Sequence, residues 1–190
     1  LDSVYEQFQD LGYFYASIEP SVSADTTAGE ISVVFNITEG ERAHIRRIEI
    51  TGNTRTMDNV IRRQLRVYPG DLFQRSALIR SLRNIFYLNY FNNVAPDFRA
   101  IEGSSDVDLI VSVEEKSTGK AGFGAGYGGR DGFNGYLELG EQNLFGRGQS
   151  ISINYEFSKS TNNVQLSFTE PWFRDTPLTL GGELFHTTTD

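Results

Sequence analysis

From Gly119 to Thr187 the sequence alternates with a period of two, and its first strand places glycine at every second position. Gly122, Gly124, Gly126 and Gly128 fall on one face of an extended segment, with Phe123, Ala125 and Tyr127 on the other. Further on, Ile151, Ile153, Tyr155 and Phe157 alternate with Ser150, Ser152, Asn154 and Glu156. Val164, Leu166 and Phe168 alternate with Asn163, Gln165, Ser167 and Thr169. Successive side chains of a strand point to opposite faces, so each strand has one apolar and one polar wall. A soluble sandwich can carry this pattern. Strands of about 9–11 residues, joined by short turns and fringed with aromatics, fit better a membrane barrel with lipid outside and water inside. Five strands are expected, over 121–128, 133–142, 149–158, 163–170 and 178–187. The connections 129–132 and 159–162 then lie at one end, and 143–148 and 171–177 at the other.

The bulk numbers agree. Fourteen Phe and 9 Tyr stand against a single Trp, more aromatic side chain than a small soluble core needs. The net charge of −8 leaves no basic stripe to neutralise phosphates, which argues against a nucleic-acid partner. The sequence has no Cys, so disulfides and Cys-based zinc sites are excluded, and an oxidising periplasm is compatible. No run approaches the roughly 18 consecutive apolar residues of a membrane helix, so insertion would be by strands. The opening Leu1-Asp2-Ser3-Val4-Tyr5 reads as a helix already under way, so the chain is expected to be an internal fragment without a leader. Five strands fall short of the about 8 of the smallest bacterial barrels, so further strands are expected beyond Asp190.

Ahead of the alternating segment, periodicity changes twice. Val4, Phe8 and Leu11 have helical spacing with Gly12 as the stop, and strands are expected over 16–23 and 30–38 across the polar turn 24–29. A strand over 44–50 then leads to the turn Thr51-Gly52-Asn53-Thr54. A helix is expected from its cap Thr56, with Met57, Val60, Ile61, Leu65 and Tyr68 on one stripe, until Pro69-Gly70-Asp71 breaks it. A second helix from Arg75 turns Leu78, Leu82, Ile85 and Phe86 inward, and strands over 93–100 and 107–115 close the unit. The order strand–helix–helix–strand–strand favours an α+β unit with both helices on one sheet face. The preceding helix–strand–strand repeats its ending, which implies a tandem array.

Motifs for chemistry are lacking. Gly124-Ala125-Gly126-Tyr127-Gly128-Gly129 contains G-x-G-x-x-G, but a dinucleotide site needs a helix immediately afterwards, and Arg130-Asp131-Gly132-Phe133 enters another strand. His44 and His186 stand alone, without metal-ligand spacing. Adjacent Glu114 and Glu115 point to opposite faces of a strand, which does not make a catalytic pair. Asn36-Ile37-Thr38 matches a glycosylation sequon but lies in an expected strand. We expect no enzyme activity, no cofactor and no metal.

The strand–helix–helix–strand–strand unit, with Gly52-Asn53 after its first strand and Leu88-Asn89-Tyr90-Phe91 leading into Asn93-Val94, resembles a POTRA (polypeptide-transport-associated) domain. The segment after this unit is similar to the start of an outer-membrane assembly barrel of the BamA type: Gly122-Phe123-Gly124-Ala125-Gly126-Tyr127-Gly128, then Asn143-Leu144-Phe145-Gly146-Arg147-Gly148, then Glu170-Pro171-Trp172-Phe173. The resemblance divides the chain into the end of one POTRA domain (1–40), one whole domain (41–117) and the first five barrel strands (118–190). It implies POTRA domains in the periplasm, a barrel in the bacterial outer membrane, and insertion of other β-barrels without nucleotide hydrolysis. The implied partners are unfolded outer-membrane clients, periplasmic lipoproteins of the BamD type and outer-membrane lipid.

By resemblance, Gly122, Phe123, Gly124, Ala125, Gly126, Tyr127 and Gly128 form a lateral gate strand that pairs weakly with the last barrel strand. The chemistry of glycine is consistent: it adds entropy to the unfolded chain and offers no side chain to pack, so four in alternation leave one face bare. A strand that opens exposes unpaired N–H and C=O groups, the template for β-augmentation. The competing reading is a tightly curved strand where glycine relieves crowding. Arg62, Arg63 and Arg66 form a basic face that is either ordinary solvated surface or, as the resemblance implies, a lipoprotein docking site. Pro69 stands where the best-known relatives carry an acidic residue linked to that contact. Val94, Pro96 and Phe98 lie on an expected edge strand open to an extended client, although Pro96 removes one donor and can protect the edge instead. Trp172 and Phe173 fit an interfacial girdle or tight packing in a turn. Two further readings stay open: an outer-membrane secretion pore of the two-partner type, and a non-transporting POTRA protein whose β segment is soluble.

Overall fold

The computed structural model describes residues 2–25, 30–129 and 132–189. In chain order the elements are α1 (Asp2–Asp10), β1 (Ser17–Asp25), β2 (Glu30–Thr38), β3 (Ile45–Thr51), α2 (Asp58–Arg62), α3 (Arg75–Tyr87), β4 (Phe91–Ala100), β5 (Val107–Glu115), β6 (Gly119–Gly128), β7 (Gly132–Leu144), β8 (Gln149–Phe157), β9 (Thr161–Glu170) and β10 (Leu180–Thr189). A short 3-10 turn, Phe173–Asp175, separates the last two strands. This is the α+β order followed by antiparallel strands that the periodicity predicts. The turn expected over 24–29 and the connection 129–132 lie partly outside the described residues.

The chain divides into two compact units. The first comprises Leu1–Thr51, Gln64–Tyr87 and Val94–Val113, and the second Gly52–Arg63, Leu88–Asn93 and Glu114–Asp190. In the first, β1 and β2 form an antiparallel pair, and a three-stranded sheet has the order β3-β5-β4 with β3 and β5 parallel. Its core is made of Ile45, Ile48, Val107, Leu109, Val111 and Val113 on the strands with Ala77, Leu78, Ser81 and Ile85 on α3. One covered charge lies on the opposite face of β5. Asp108 is 1% exposed, and Arg46 donates to both of its carboxylate oxygens, Nε at 2.8 Å and Nη2 at 2.6 Å. Two parallel N–H···O bonds are the arrangement in which a carboxylate tolerates such burial.

Within this unit α1 is bonded to α3. The Asp10 carboxylate accepts from the Ser76 amide at 2.7 Å, in the first turn of α3, where N–H groups have no partner in their own helix. Arg75 donates to Gln9 at 3.1 Å and lies 3.7 Å from Glu6. Gly12 has φ +96°, and a Cβ there would fall 2.6 Å from the Leu72 side chain, so only glycine fits the turn that ends α1. Phe14 packs edge-on against Phe73 and Phe98 with centroids 4.9 and 4.8 Å away.

Two helix expectations are corrected. The helix expected from Thr56 to Tyr68 is a single turn, Asp58–Arg62. Met57, not Thr56, occupies the cap position, without a side-chain bond. Beyond Arg62 the helix does not continue. The Arg66 amide bonds the Ser81 hydroxyl at 2.7 Å instead of a carbonyl one turn earlier, and Tyr68 is exposed. In α3 the inward set is Ala77, Leu78, Ser81 and Ile85, while Phe86 is half exposed and Leu82 half-buried. The polar Ser81 holds the central inward position because its hydroxyl is satisfied twice, donating to the Ala77 carbonyl at 2.8 Å and accepting from Arg66.

The second unit is dominated by an antiparallel sheet of strands in sequential order, β10-β9-β8-β7-β6. It is open: among the described residues β6 and β10 each have one strand neighbour.

Replacing Asp10 by Ala removes the acceptor at the start of α3. Thermal unfolding of the full-length protein should show a loss of about 1 kcal/mol, most of it recovered by Asp10→Asn.

Candidate functional site

Gly119–Gly128 is the edge of the sheet, paired with β7 in the register Phe123↔Leu137, Gly124↔Tyr136, Ala125↔Gly135 and Gly126↔Asn134. Its apolar side is open, with Phe123 86% and Tyr127 83% exposed. The glycine side is not bare throughout, contrary to the expectation from glycine alone. A Cβ on Gly124 would lie 2.4 Å from the Tyr136 ring, and one on Gly126 would lie 3.1 Å from the Asn134 side chain. Tyr136 thus lies across the glycine of the neighbouring strand, an arrangement in which an aromatic covers what the missing side chain leaves open. Gly122 meets nothing closer than 3.8 Å. The contact is reciprocated on the other face, where a Cβ on Gly135 would meet the Phe157 ring at 2.7 Å and the Gly124 carbonyl at 2.8 Å. The strand therefore holds to β7 by backbone pairing, with the Tyr136 ring across Gly124 and the Asn134 side chain beside Gly126. Its G-x-G-x-x-G run lies in a strand paired antiparallel to β7, with no helix N-terminus to receive a phosphate.

A second cluster in the same unit joins the turn after β3 to the β7–β8 connection. Glu115 Oε2 accepts from the Thr54 amide (3.1 Å), the Thr54 hydroxyl (2.8 Å) and the Arg55 amide (2.9 Å), while Oε1 accepts from the Thr56 amide at 2.6 Å. Burial alone would raise the Glu115 carboxyl. The Thr56, Thr54 and Arg55 donors outweigh it and lower the pKa from 4.5 to about 2. Asn143 Nδ2 donates to the Thr56 hydroxyl at 2.8 Å, and Asn143 Oδ1 accepts from the Gly148 amide at 2.8 Å. The Met57 amide donates to the Gly146 carbonyl at 2.9 Å. Gly146 has φ +72°, and a Cβ on it would be 2.0 Å from the Arg55 carbonyl oxygen, a position no side chain can occupy.

The predicted site residues separate. Arg62 pairs with Asp58, Nε to Oδ2 at 2.8 Å. Arg63 is half-buried, with its guanidinium 5.1 Å from the centroid of the Trp172 ring, and burial lowers its pKa. Arg66 is exposed. With α2 reduced to one turn, the three arginines do not share a helix face. On β4, which pairs only with β5 in its sheet, Val94 is half-buried and Pro96 exposed. Phe98 is engaged by Phe14 and Phe73. Trp172 is held by Arg63 in a packed turn, and Phe173 is half-buried beneath Arg174, whose guanidinium is 5.4 Å from its ring. His44 lies 3.3 Å from Asp106, and His186 bonds Thr188. Among the described residues no group of three His, Cys, Asp or Glu could hold a metal. No local pattern marks Glu115 or Tyr136 as organising residues, and Thr56 organises by bonding Glu115 and Asn143 rather than by the expected capping. Parity gave only that Glu114 and Glu115 face apart, and nothing local marks Glu115 as the acceptor.

The family model of the POTRA domain, described as a surface antigen variable number repeat, matches residues 2–40 and 43–116. The chain belongs to the POTRA family. A second model, the Omp85 superfamily domain, matches residues 143–190. The outer membrane protein assembly factor BamA of Neisseria meningitidis is 34% identical over 188 residues, 97% of this chain and 23% of the relative. BamA of Nitratidesulfovibrio vulgaris is 31% identical over 180 residues, 95% of this chain and 23% of the relative. The crystal structure of BamA from Haemophilus ducreyi lacking POTRA domains 1-3 superposes with a TM-score of 0.89 at 26% identity, covering 100% of this chain and 36% of that one. The POTRA chain is thus of the BamA type, an outer-membrane chain with periplasmic POTRA repeats, and its open sheet is an incomplete barrel. It spans about a quarter of the length of these curated relatives. BamA-type assembly factors are not an enzyme family.

The cluster generates two expected outcomes. Gly146→Ala forces its Cβ onto the Arg55 carbonyl, and thermal unfolding should show a loss of about 3 kcal/mol. Because Glu115 is held at about 2 against an ordinary 4.5, its contribution is full above pH 4.5 and is lost as pH falls from 4.5 through 2. The difference in melting temperature between native protein and Glu115→Gln should therefore be constant above that range and close within it.

Proposed function

We propose that the chain acts in the assembly and insertion of β-barrel proteins into the bacterial outer membrane, with β6 as a weakly held lateral gate. The observation that carries this reading is the position of β6. It is the first strand after the POTRA unit, it carries glycine along one face, and the Tyr136 ring of β7 lies over Gly124. A first strand that parts from its outer neighbour offers unpaired backbone groups to an incoming client strand. The names of the BamA relatives, outer membrane protein assembly factors, support the same reading. We assign 1–40 to the end of one POTRA domain, 41–117 to a whole one and 118–190 to the barrel. The chain works without catalytic residues or a cofactor.

The gate comprises Gly122, Phe123, Gly124, Ala125, Gly126, Tyr127 and Gly128. Client segments pair with the free edge of β4 through its backbone. The Phe98 side chain takes no part, since it is packed between Phe14 and Phe73. Docking of a BamD-type lipoprotein falls to Arg62 and Arg66, because Arg63 is turned to Trp172.

The test is a disulfide lock between a cysteine in β6 and one in the final barrel strand of the full-length protein. Client assembly into proteoliposomes should stop when the lock is oxidised and return on reduction. Assembly at the unlocked rate would remove the gate from the mechanism and favour a secretion pore or a passive scaffold.

A further inference from the structure

Phe145 is the least expected residue of the β7–β8 connection. It is 78% exposed, and its φ of +54° is one that bulky L residues rarely adopt. A turn free to choose would place Gly or Asn at such a φ and a polar side chain at such exposure. The surrounding bonds hold the backbone in this conformation. Gly146 N donates to the Asn143 carbonyl at 2.9 Å, Arg147 N to the Leu144 carbonyl at 3.1 Å, Gly148 N to Asn143 Oδ1 at 2.8 Å, and Met57 N to the Gly146 carbonyl at 2.9 Å. An aromatic kept out in water by a loop fixed at this many points is pre-organised for something outside the described chain. Exposed Arg147 stands two residues away.

The register indicates what that is. Leu137↔Tyr155 and Leu139↔Ile153 set four exposed apolar side chains on one face of β7 and β8. On that face Ile151 stands opposite Glu141, which accepts from the Thr118 hydroxyl, and past a register shift the last pair is Leu144↔Gln149, where the loop begins. In an incomplete barrel this is the lipid-facing side. The loop that ends it is bonded to Met57 and Thr56 of the POTRA domain, which puts it on the periplasmic side. Trp172, the aromatic whose sequence position best fits an interfacial girdle at this end, is taken up by Arg63.

We propose that Phe145 and Arg147 form a membrane anchor, with the Phe145 ring at the headgroup boundary of the periplasmic leaflet and Arg147 on a lipid phosphate. An aromatic with a cation beside it at the end of lipid-facing strands is suited to that layer, where one needs apolar contact and the other an anion. Continuity with the apolar face of β7 and β8 favours lipid over a protein partner. The inference rests on β6–β10 being barrel strands.

The experiment uses Phe145→Trp and, as a control on the lipid face, Leu137→Trp, each in the full-length protein reconstituted into phosphatidylcholine bilayers. Emission is taken as the difference from the parent protein. Bromine is carried on the acyl chains either near the ester groups or near the bilayer centre. The Trp at 145 should lose more emission to the shallow bromines than to the deep ones, and Arg147→Gln should reduce that loss. If it is quenched only by aqueous iodide, or by neither quencher, while the control is quenched by bromine, the anchor is overturned and the barrel stands. If the control also escapes bromine, the barrel reading falls, and the anchor with it.

Discussion

The turn that leads out of β3 depends on a single carboxylate. Glu115 closes β5 and accepts four hydrogen bonds from Thr54, Arg55 and Thr56, in the turn after β3. Three of the donors are backbone amides ahead of a one-turn helix that cannot cap itself, since Met57 at its cap has no side-chain acceptor. With that turn fixed, the Thr56 hydroxyl is presented to Asn143 and the Arg55 carbonyl lies flat against Gly146. Asn143 in turn shapes the loop from which β8 starts. The turn after β3 and the β7–β8 loop are therefore bonded to one another, through the Thr56 and Asn143 side chains and the close approach of Gly146.

β6 is held differently. Its amides pair with β7 on one side, and the Tyr136 ring across Gly124 replaces the side-chain packing that glycine cannot provide. A strand that must stay in register yet part from a neighbour gains from this arrangement. Cross-strand side-chain pairs are the main stabilisers of sheets, and here they are concentrated on the β7 side.

Much of this architecture was legible in the sequence, because period two survives any rearrangement of neighbours. β2 and β5 were read at their observed bounds, and the barrel strands within a few residues. The failures share a cause. Met57, Val60, Ile61, Leu65 and Tyr68 have helical spacing, yet the helix ends at Arg62, since the Arg66 amide finds the hydroxyl of Ser81, fifteen residues on. Arg62, Arg63 and Arg66 resemble a basic face only while that helix is assumed to continue. The glycine face is covered at Gly124 because Tyr136 reaches it through a register that composition does not reveal. Glu115 gave no local signal at all. The parallel pairing of β3 with β5, Thr51 beside Ser112, carries the ends of both strands to the same place.

Hydrogen–deuterium exchange of the full-length protein in bilayers measures directly how firmly β6 is held. If β6 is an edge built to part from its outer neighbour, its outward-pointing amides should exchange much faster than those of β7, β8 and β9, which are paired on both sides. Protection of β6 equal to that of β8 would mean a closed, permanent seam, and would contradict the account.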